Sequence, residues 1–441
     1  MIEKRLRKYI VPNIFAMMGT SCYVLADTFF VAVAEGVNGI TALNLILPLY
    51  GLIYALGSMI GIGSATRYSL QKAASKDDAG DYFANSILWT LLISIIFVAA
   101  GIFFPDTILR FMGADEVILA TGLLYVQIVL CFTPFFMLNY TFTAFVRNDG
   151  APNIAMAATV LSGIFNIIFD YIFMFPLEMG MAGAALATAI SPIVSMAICM
   201  VHYLSKKNTI YFVKKLPSCS KLLSSCNLGI VAFVGEISSG ITTMVFNLLL
   251  LGLVGNIGVA AYGVIANMAL VGTALFNGVS QGLQPLASYM HGKGQLVAER
   301  KIYRESLQIG GGIAIALVAI VMVFAGDIVG IFNSEHSVEL AAYAEQGIKL
   351  YFLGFLLAAI NIVRAGFYSA TGRGQASSII SLSRGVLAII AFAFILSKCF
   401  GVIGLWLAFP ASELFTLLLT ELMIKAKRIK AAKEAYCDNI S

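Results

Sequence analysis

The sequence predicts an all-α membrane protein of about twelve transmembrane helices in two pseudo-symmetric six-helix lobes. Hydrophobic residues make up 60% of the 441 and charged ones only 12%, against roughly 45–50% and 25% in soluble domains. Apolar runs of at least ~18 residues, enough to cross the ~30 Å hydrocarbon core as helix, recur along the whole chain and leave no sizeable soluble domain over. The two halves also repeat one another at a near-constant offset, as transporter halves do.

The spans fall at 10–34, 40–66, 83–105, 119–146, 153–175, 181–204, 226–254, 259–289, 305–331, 341–370, 376–399 and 401–425. This gives an N-lobe over 1–205, a connector over 206–225, a C-lobe over 226–425 and a basic tail over 426–441. The basic start Met1-Ile-Glu-Lys-Arg-Leu-Arg-Lys leads into a long apolar stretch with no small-residue cleavage site, so it reads as a retained first span. Connections on one side hold 23 Lys and Arg residues, those on the other only Arg110 and Lys398. That asymmetry predicts both termini on the cytoplasmic side of a bacterial plasma membrane. The net charge of +5 is then a matter of topology and anionic lipid, with no nucleic acid required. The connector, Lys206-Lys-Asn-Thr-Ile-Tyr-Phe-Val-Lys214-Lys215 at its heart, reads as an interfacial amphipathic bridge. Seven scattered cysteines lack the spacing of a zinc site or a disulfide framework.

Within the repeat, Gly39-Ile-Thr-Ala42 aligns with Gly258-Val-Ala-Ala261, Gly63 and Ser69 with Gly282 and Ser288, Asn139 with Asn361, and Gly180-Met-Ala-Gly183 with Gly401-Val-Ile-Gly404. Six spans per half put both copies in the membrane in one orientation, which leaves a central cavity between two bundles.

Ionisable groups inside hydrocarbon cost roughly 2.5–3.5 kcal/mol each even on lenient scales, so those retained point to function. Asp27 and Asp170 lie within the first and fifth spans, each with a polar neighbour one turn earlier, Tyr23 and Asn166. Two carboxylates with amide and hydroxyl oxygens, Thr188 adding another, suit a proton or Na+; the structural alternative is helix-to-helix hydrogen bonding. Na+ would sit at Asp27, Asn166 and Asp170. Glu236, with Asn139 and Asn361, is assigned to a substrate cavity. Glu413 is a further intramembrane carboxylate, while Arg364 and Arg384 are expected to snorkel to lipid phosphates. Pro12 is a candidate for helix bending. His202, His291 and His336 are far apart, and no phosphate-cradling GxxxxGK[ST] occurs, so neither a metalloenzyme nor a self-powered ATP pump is expected. No cofactor beyond the coupling ion is called for.

The order and spacing of Ala26-Asp-Thr-Phe-Phe-Val-Ala32, Gly61-Ile-Gly-Ser-Ala65, Arg147-Asn-Asp-Gly150, Asn166-Ile-Ile-Phe-Asp170, Gly183-Ala-Ala-Leu-Ala-Thr188, Gly282-Leu-Gln-Pro285 and Gly401-Val-Ile-Gly-Leu-Trp406 resemble the multidrug and toxic compound extrusion (MATE) family over essentially the full length. The resemblance implies two six-helix lobes and antiport of organic, often cationic, compounds against Na+ or protons. It also implies an N-lobe ion site at Tyr23, Asp27, Asn166, Asp170 and Thr188, a bending role for Pro12, and a C-lobe carboxylate at Glu236. The family's tenth-span aspartate has no match, since Asn361 and Arg364 stand in that region.

The expected function is therefore multidrug efflux by alternating access, not an enzyme activity, with small organic substrates, the bilayer as partner and a monomer as the working unit. A lipid-linked oligosaccharide flippase or metabolite exporter of the same superfamily is the alternative. A flippase cavity would need several basic residues, and the N-lobe sequence places no Lys or Arg mid-membrane.

Overall fold

In hydrocarbon every backbone amide and carbonyl must be met within its own segment, which drives an apolar chain to helix. The computed structural model describes residues 2–75, 78–332 and 337–438, and no strand occurs among them. The helices are α1 (Ile2–Ala73), α2 (Asp81–Phe103), α3 (Pro105–Phe111), α4 (Glu116–Cys131), α5 (Thr133–Asn148), α6 (Pro152–Met174), α7 (Gly180–Tyr203), α8 (Cys219–Val254), α9 (Asn256–Gly292), α10 (Leu296–Phe332), α11 (Val338–Phe352), α12 (Gly354–Ala370), α13 (Gly374–Leu382) and α14 (Ala388–Asp438), with a π-helical turn, Ser383–Leu387, before α14. His336 and the side chains of the basic tail lie outside the described residues.

Nine helices among the described residues are long and apolar enough to span, and two bent pairs raise the number to eleven. α1 supplies two spans, Glu3–Gly36 and Thr41–Ala73, because Gly36 adopts φ 60° and ψ −144°, a conformation open to glycine. The bent pairs are α4 with α5, at 47°, and α11 with α12, at 42°. The stretch Gly374–Lys425 runs 52 residues, roughly 78 Å of helix at 1.5 Å per residue. That is more than twice the ~30 Å hydrocarbon core. Gly401, at φ 60° and ψ −136°, divides it, which yields the twelve predicted spans.

The breaks themselves repeat. Gly36 is matched by Gly255, Gly150 by Gly372 and Gly180 by Gly401, all at positive φ. The bend after Cys131 is matched by that after Phe352. Pro12 marks no such break: α1 keeps helical dihedrals through it and leaves them only at Gly36. Large apolar side chains such as Phe29, Ile96, Leu248, Val323 and Phe400 stand exposed on the helix faces, a surface suited to lipid.

The chain divides into two compact units, Met1–Gly240 with Thr273–Ser306 and Ala365–Ser378, and Ile241–Gly272 with Leu307–Arg364 and Ile379–Ser441. The first unit thus contains all of 1–205 together with segments from the second half of the sequence. Glycines let its helices touch backbone to backbone. A Cβ on Gly63 would meet the Ser225 carbonyl and one on Gly229 the Met59 carbonyl, while Gly278 and Gly282 lie against Ile14 and Ile10. The repeat-matched pair Gly63 and Gly282 therefore serves the same purpose in both halves. In the second unit Tyr262 stacks at 6.4 Å on the fully buried Trp406, and Tyr351 at 4.4 Å on Phe409.

Residues 208–218 of the connector are not helical, and α8 begins within the predicted bridge at Cys219. They form a strap tied down by side chains. Lys215 pairs with Asp81 at 3.0 Å, Ser218 N–H donates to Asn85 Oδ1 at 2.6 Å, and Thr209 N–H donates to Asp149 Oδ2 at 2.9 Å.

Candidate functional site

A cavity of about 150 Å3 lies within the first unit. Four aromatic rings, Tyr23, Tyr54, Phe136 and Tyr140, stand in its wall, where Tyr54 meets Phe136 edge-on at 5.8 Å and Tyr140 at 6.0 Å, an arrangement that aromatic pairs prefer. Asn139, Thr188 and Glu236 also line it. Asn139 Oδ1 is buried without a hydrogen-bond partner, and Glu236 forms no ion pair among the described residues.

The two predicted aspartates stand beside this cavity rather than in its wall. α6 carries Asn166 and Asp170, 1% and 0% exposed, and packs against α1 and α7. Both Asp170 oxygens, Asn166 Oδ1 and Asp27 Oδ1 are buried and lack a hydrogen-bond partner. A carboxylate in this setting is costly unless a proton or a cation compensates it. Among the described residues no group of three His, Cys, Asp or Glu side chains forms. A cation here would rely on Asn166 and Thr188 oxygens besides the two carboxylates, a hard-oxygen set suited to a small cation.

Two residues connect cluster and cavity. Asn166 Nδ2 donates to Thr188 Oγ1 at 3.3 Å, and Thr188 lines the cavity. Tyr23, one turn before Asp27 on α1, lines the cavity and packs over Gly163, where a Cβ would come within 3.1 Å of its ring.

Asn361 belongs elsewhere. It is fully buried in the second unit and donates to the Glu413 carboxylate at 2.8 Å and to the Glu413 carbonyl at 2.9 Å. Arg384, on the π-helical turn, donates to the same carboxylate at 2.6 Å, and Arg364 pairs with Glu421 at 2.8 Å. Neither arginine reaches for lipid: a carboxylate within salt-bridge distance is a better partner than a headgroup further along the helix. Asn361 therefore does not line the cavity of the first unit; its amide is engaged by Glu413.

Arg147, counted by sequence among loop cations, is 5% exposed and lines the cavity together with Asn13, Asn277 and Gln281. Its place one turn before the Gly150 break concealed this, since hydropathy does not tell a loop cation from the last turn of a helix directed inward. The sequence places no Lys or Arg mid-membrane in the N-lobe, and Arg147, in the last turn of α5, is buried at the end of its helix.

Broken helices, a repeat of six spans and a cavity among them define a membrane transporter architecture. The chain belongs to the MatE family, the MATE transporters, whose family model matches residues 12–172 and 231–416. It is 27% identical over 424 residues to the multidrug export protein MepA of Staphylococcus aureus strain MRSA252, covering 94% of this chain and 92% of that one. The MepA of Staphylococcus saprophyticus is 27% identical over 412 residues, covering 92% and 89%. An outward-facing multidrug resistance MATE transporter of the MOP superfamily superposes with TM-score 0.90 at 22% identity over 98% of this chain and 97% of that one. A MATE transporter in the bent conformation gives 0.87 at 22% identity. At such identity these structures bear on the fold.

Proposed function

We propose that the protein is a multidrug efflux antiporter that exports organic, chiefly cationic, compounds across the plasma membrane in exchange for H+ or Na+ by alternating access. It works as a monomer of two lobes with both termini cytoplasmic. The observation that carries the reading is the enclosed, unpartnered carboxylate of Asp170 beside a separate aromatic cavity, the two sharing the Asn166–Thr188 contact. Ion entry at the cluster and cargo entry at the cavity favour different arrangements of the same helices, and differential binding alone suffices for coupling. The cavity's size fits this: at about 150 Å3 it is smaller than the ~300–1,000 Å3 of sites that hold drug-sized ligands, so helices must part for cargo to enter. The basic connections and the names of the MepA relatives support sidedness and cargo class.

The test is ethidium efflux from proteoliposomes under a Na+ gradient and a proton gradient imposed separately. Efflux driven by one of them establishes antiport and names the ion. Folded protein that responds to neither rejects antiport and favours the flippase or metabolite reading, to which a buried Arg147 lends a single basic residue.

A further inference from the structure

Arg147 is a buried cation held by neutral groups. Its Nη1 donates to Asn13 Oδ1 at 3.0 Å and to Gln281 Oε1 at 2.7 Å, both uncharged amides, while Nε has no partner. The carboxylate two residues away is committed elsewhere: Asp149 receives Lys72 at 2.7 Å and His202 at 2.9 Å, and the Thr209 hydroxyl and N–H as well. Carbonyls at the end of α5 offset part of the cost of burying the guanidinium, yet a charge taken out of water without a counter-ion remains expensive. The guanidinium fork is shaped for a planar oxyanion. Glu236, also without an ion pair, lines the same cavity, so charges of opposite sign share one aromatic-walled space.

We propose that this cavity receives zwitterionic organic cargo: a carboxylate or similar oxyanion of the ligand pairs with Arg147, and its cationic group is balanced by Glu236. Asn13 and Gln281 hold the guanidinium in place through Nη1 and leave Nη2 free for the ligand. This rests on the efflux reading and narrows its substrate class. A purely structural Arg147 would pin α1 to α9 through its two amide contacts and discriminate between no ligands.

The probes are a carboxyrhodamine zwitterion and its methyl ester, which differ only in the ligand's negative charge. Binding is read by fluorescence polarisation on the purified full-length protein, and export from proteoliposomes. Wild type is expected to bind the zwitterion more tightly than the ester. Arg147→Gln should weaken zwitterion binding tenfold or more while leaving the ester within about twofold. Gln281→Glu covers the case in which that variant fails to fold. It sets a carboxylate against the guanidinium, and should abolish the preference for the zwitterion while raising the melting temperature. Equal loss of both dyes in Arg147→Gln, or an unchanged preference in Gln281→Glu, overturns the proposal. Ester bound and exported by wild type without preference refutes the zwitterion site and leaves efflux standing, whereas failure to bind or export either dye removes the efflux reading with it.

Discussion

The Asn166 amide donates to the Thr188 hydroxyl at 3.3 Å, and through that contact the buried carboxylate cluster touches the wall of the cavity. Asp170 sits one turn beyond Asn166 with both oxygens unmet.

Asp170→Asn removes the charge while keeping the shape. Ion-driven ethidium export should fall at least about tenfold, within the ~5–150-fold range of coupling between linked sites, with dye affinity in detergent changed less than about threefold, since Asp170 is not in the cavity wall. Normal gradient-driven export by this variant would exclude Asp170 from coupling.

Thr188→Val deletes the acceptor of the Asn166 bond. Interhelical hydrogen bonds in membranes contribute about 0.6 kcal/mol, up to about 1.7. A double-mutant cycle with Asn166→Ala, scored by thermal unfolding, should return a coupling energy in that range. A value indistinguishable from zero would mean the contact carries no energy.

Asp149 anchors the loop after α5 to the connector strap. Burial pushes its carboxyl up, but hydrogen bonds from Lys72, from the side chain and backbone of Thr209, and from His202 outweigh this and hold it below the ordinary carboxylate value. A depressed folded value means stability that is fully present above the unfolded value of about 3.9 and lost as pH falls through the folded one. Melting temperature should therefore drop on the acid side of about pH 4, and Asp149→Asn should flatten that drop. At neutral pH the same variant should lose about 2 kcal/mol, less than the ~3–5 of a fully enclosed pair because Lys72 is partly exposed. An acid profile identical to wild type would rule Asp149 out as its source.

Gly229 lies so close to Met59 that a Cβ would overlap its carbonyl, whereas a Cβ on Gly235 would meet nothing within 4 Å. Gly229→Ala should cost about 1–3 kcal/mol by forcing two backbones apart and should depress export, while Gly235→Ala should be nearly silent. Melting curves and efflux assays on the two variants check this, and equal effects would contradict it.

Much of this protein is determined by sequence alone, for a physical reason. Hydrocarbon allows an apolar chain few options besides helix, so composition set the fold class and the spacing of apolar runs set the spans, down to the division at Gly401 that separates the last two. The cost of charge in lipid likewise makes Asp27 and Asp170 conspicuous in the bare sequence. Tertiary structure alone decided which side chains meet across distant helices, because that depends on how each helix is rotated and where glycines let backbones close, and hydropathy encodes neither. Only the fold shows that Asn361 completes the shell of Glu413. Only the fold draws Arg147 inward between Asn13 and Gln281, each 134 residues away, and so turns an apparent loop cation into part of the cavity wall.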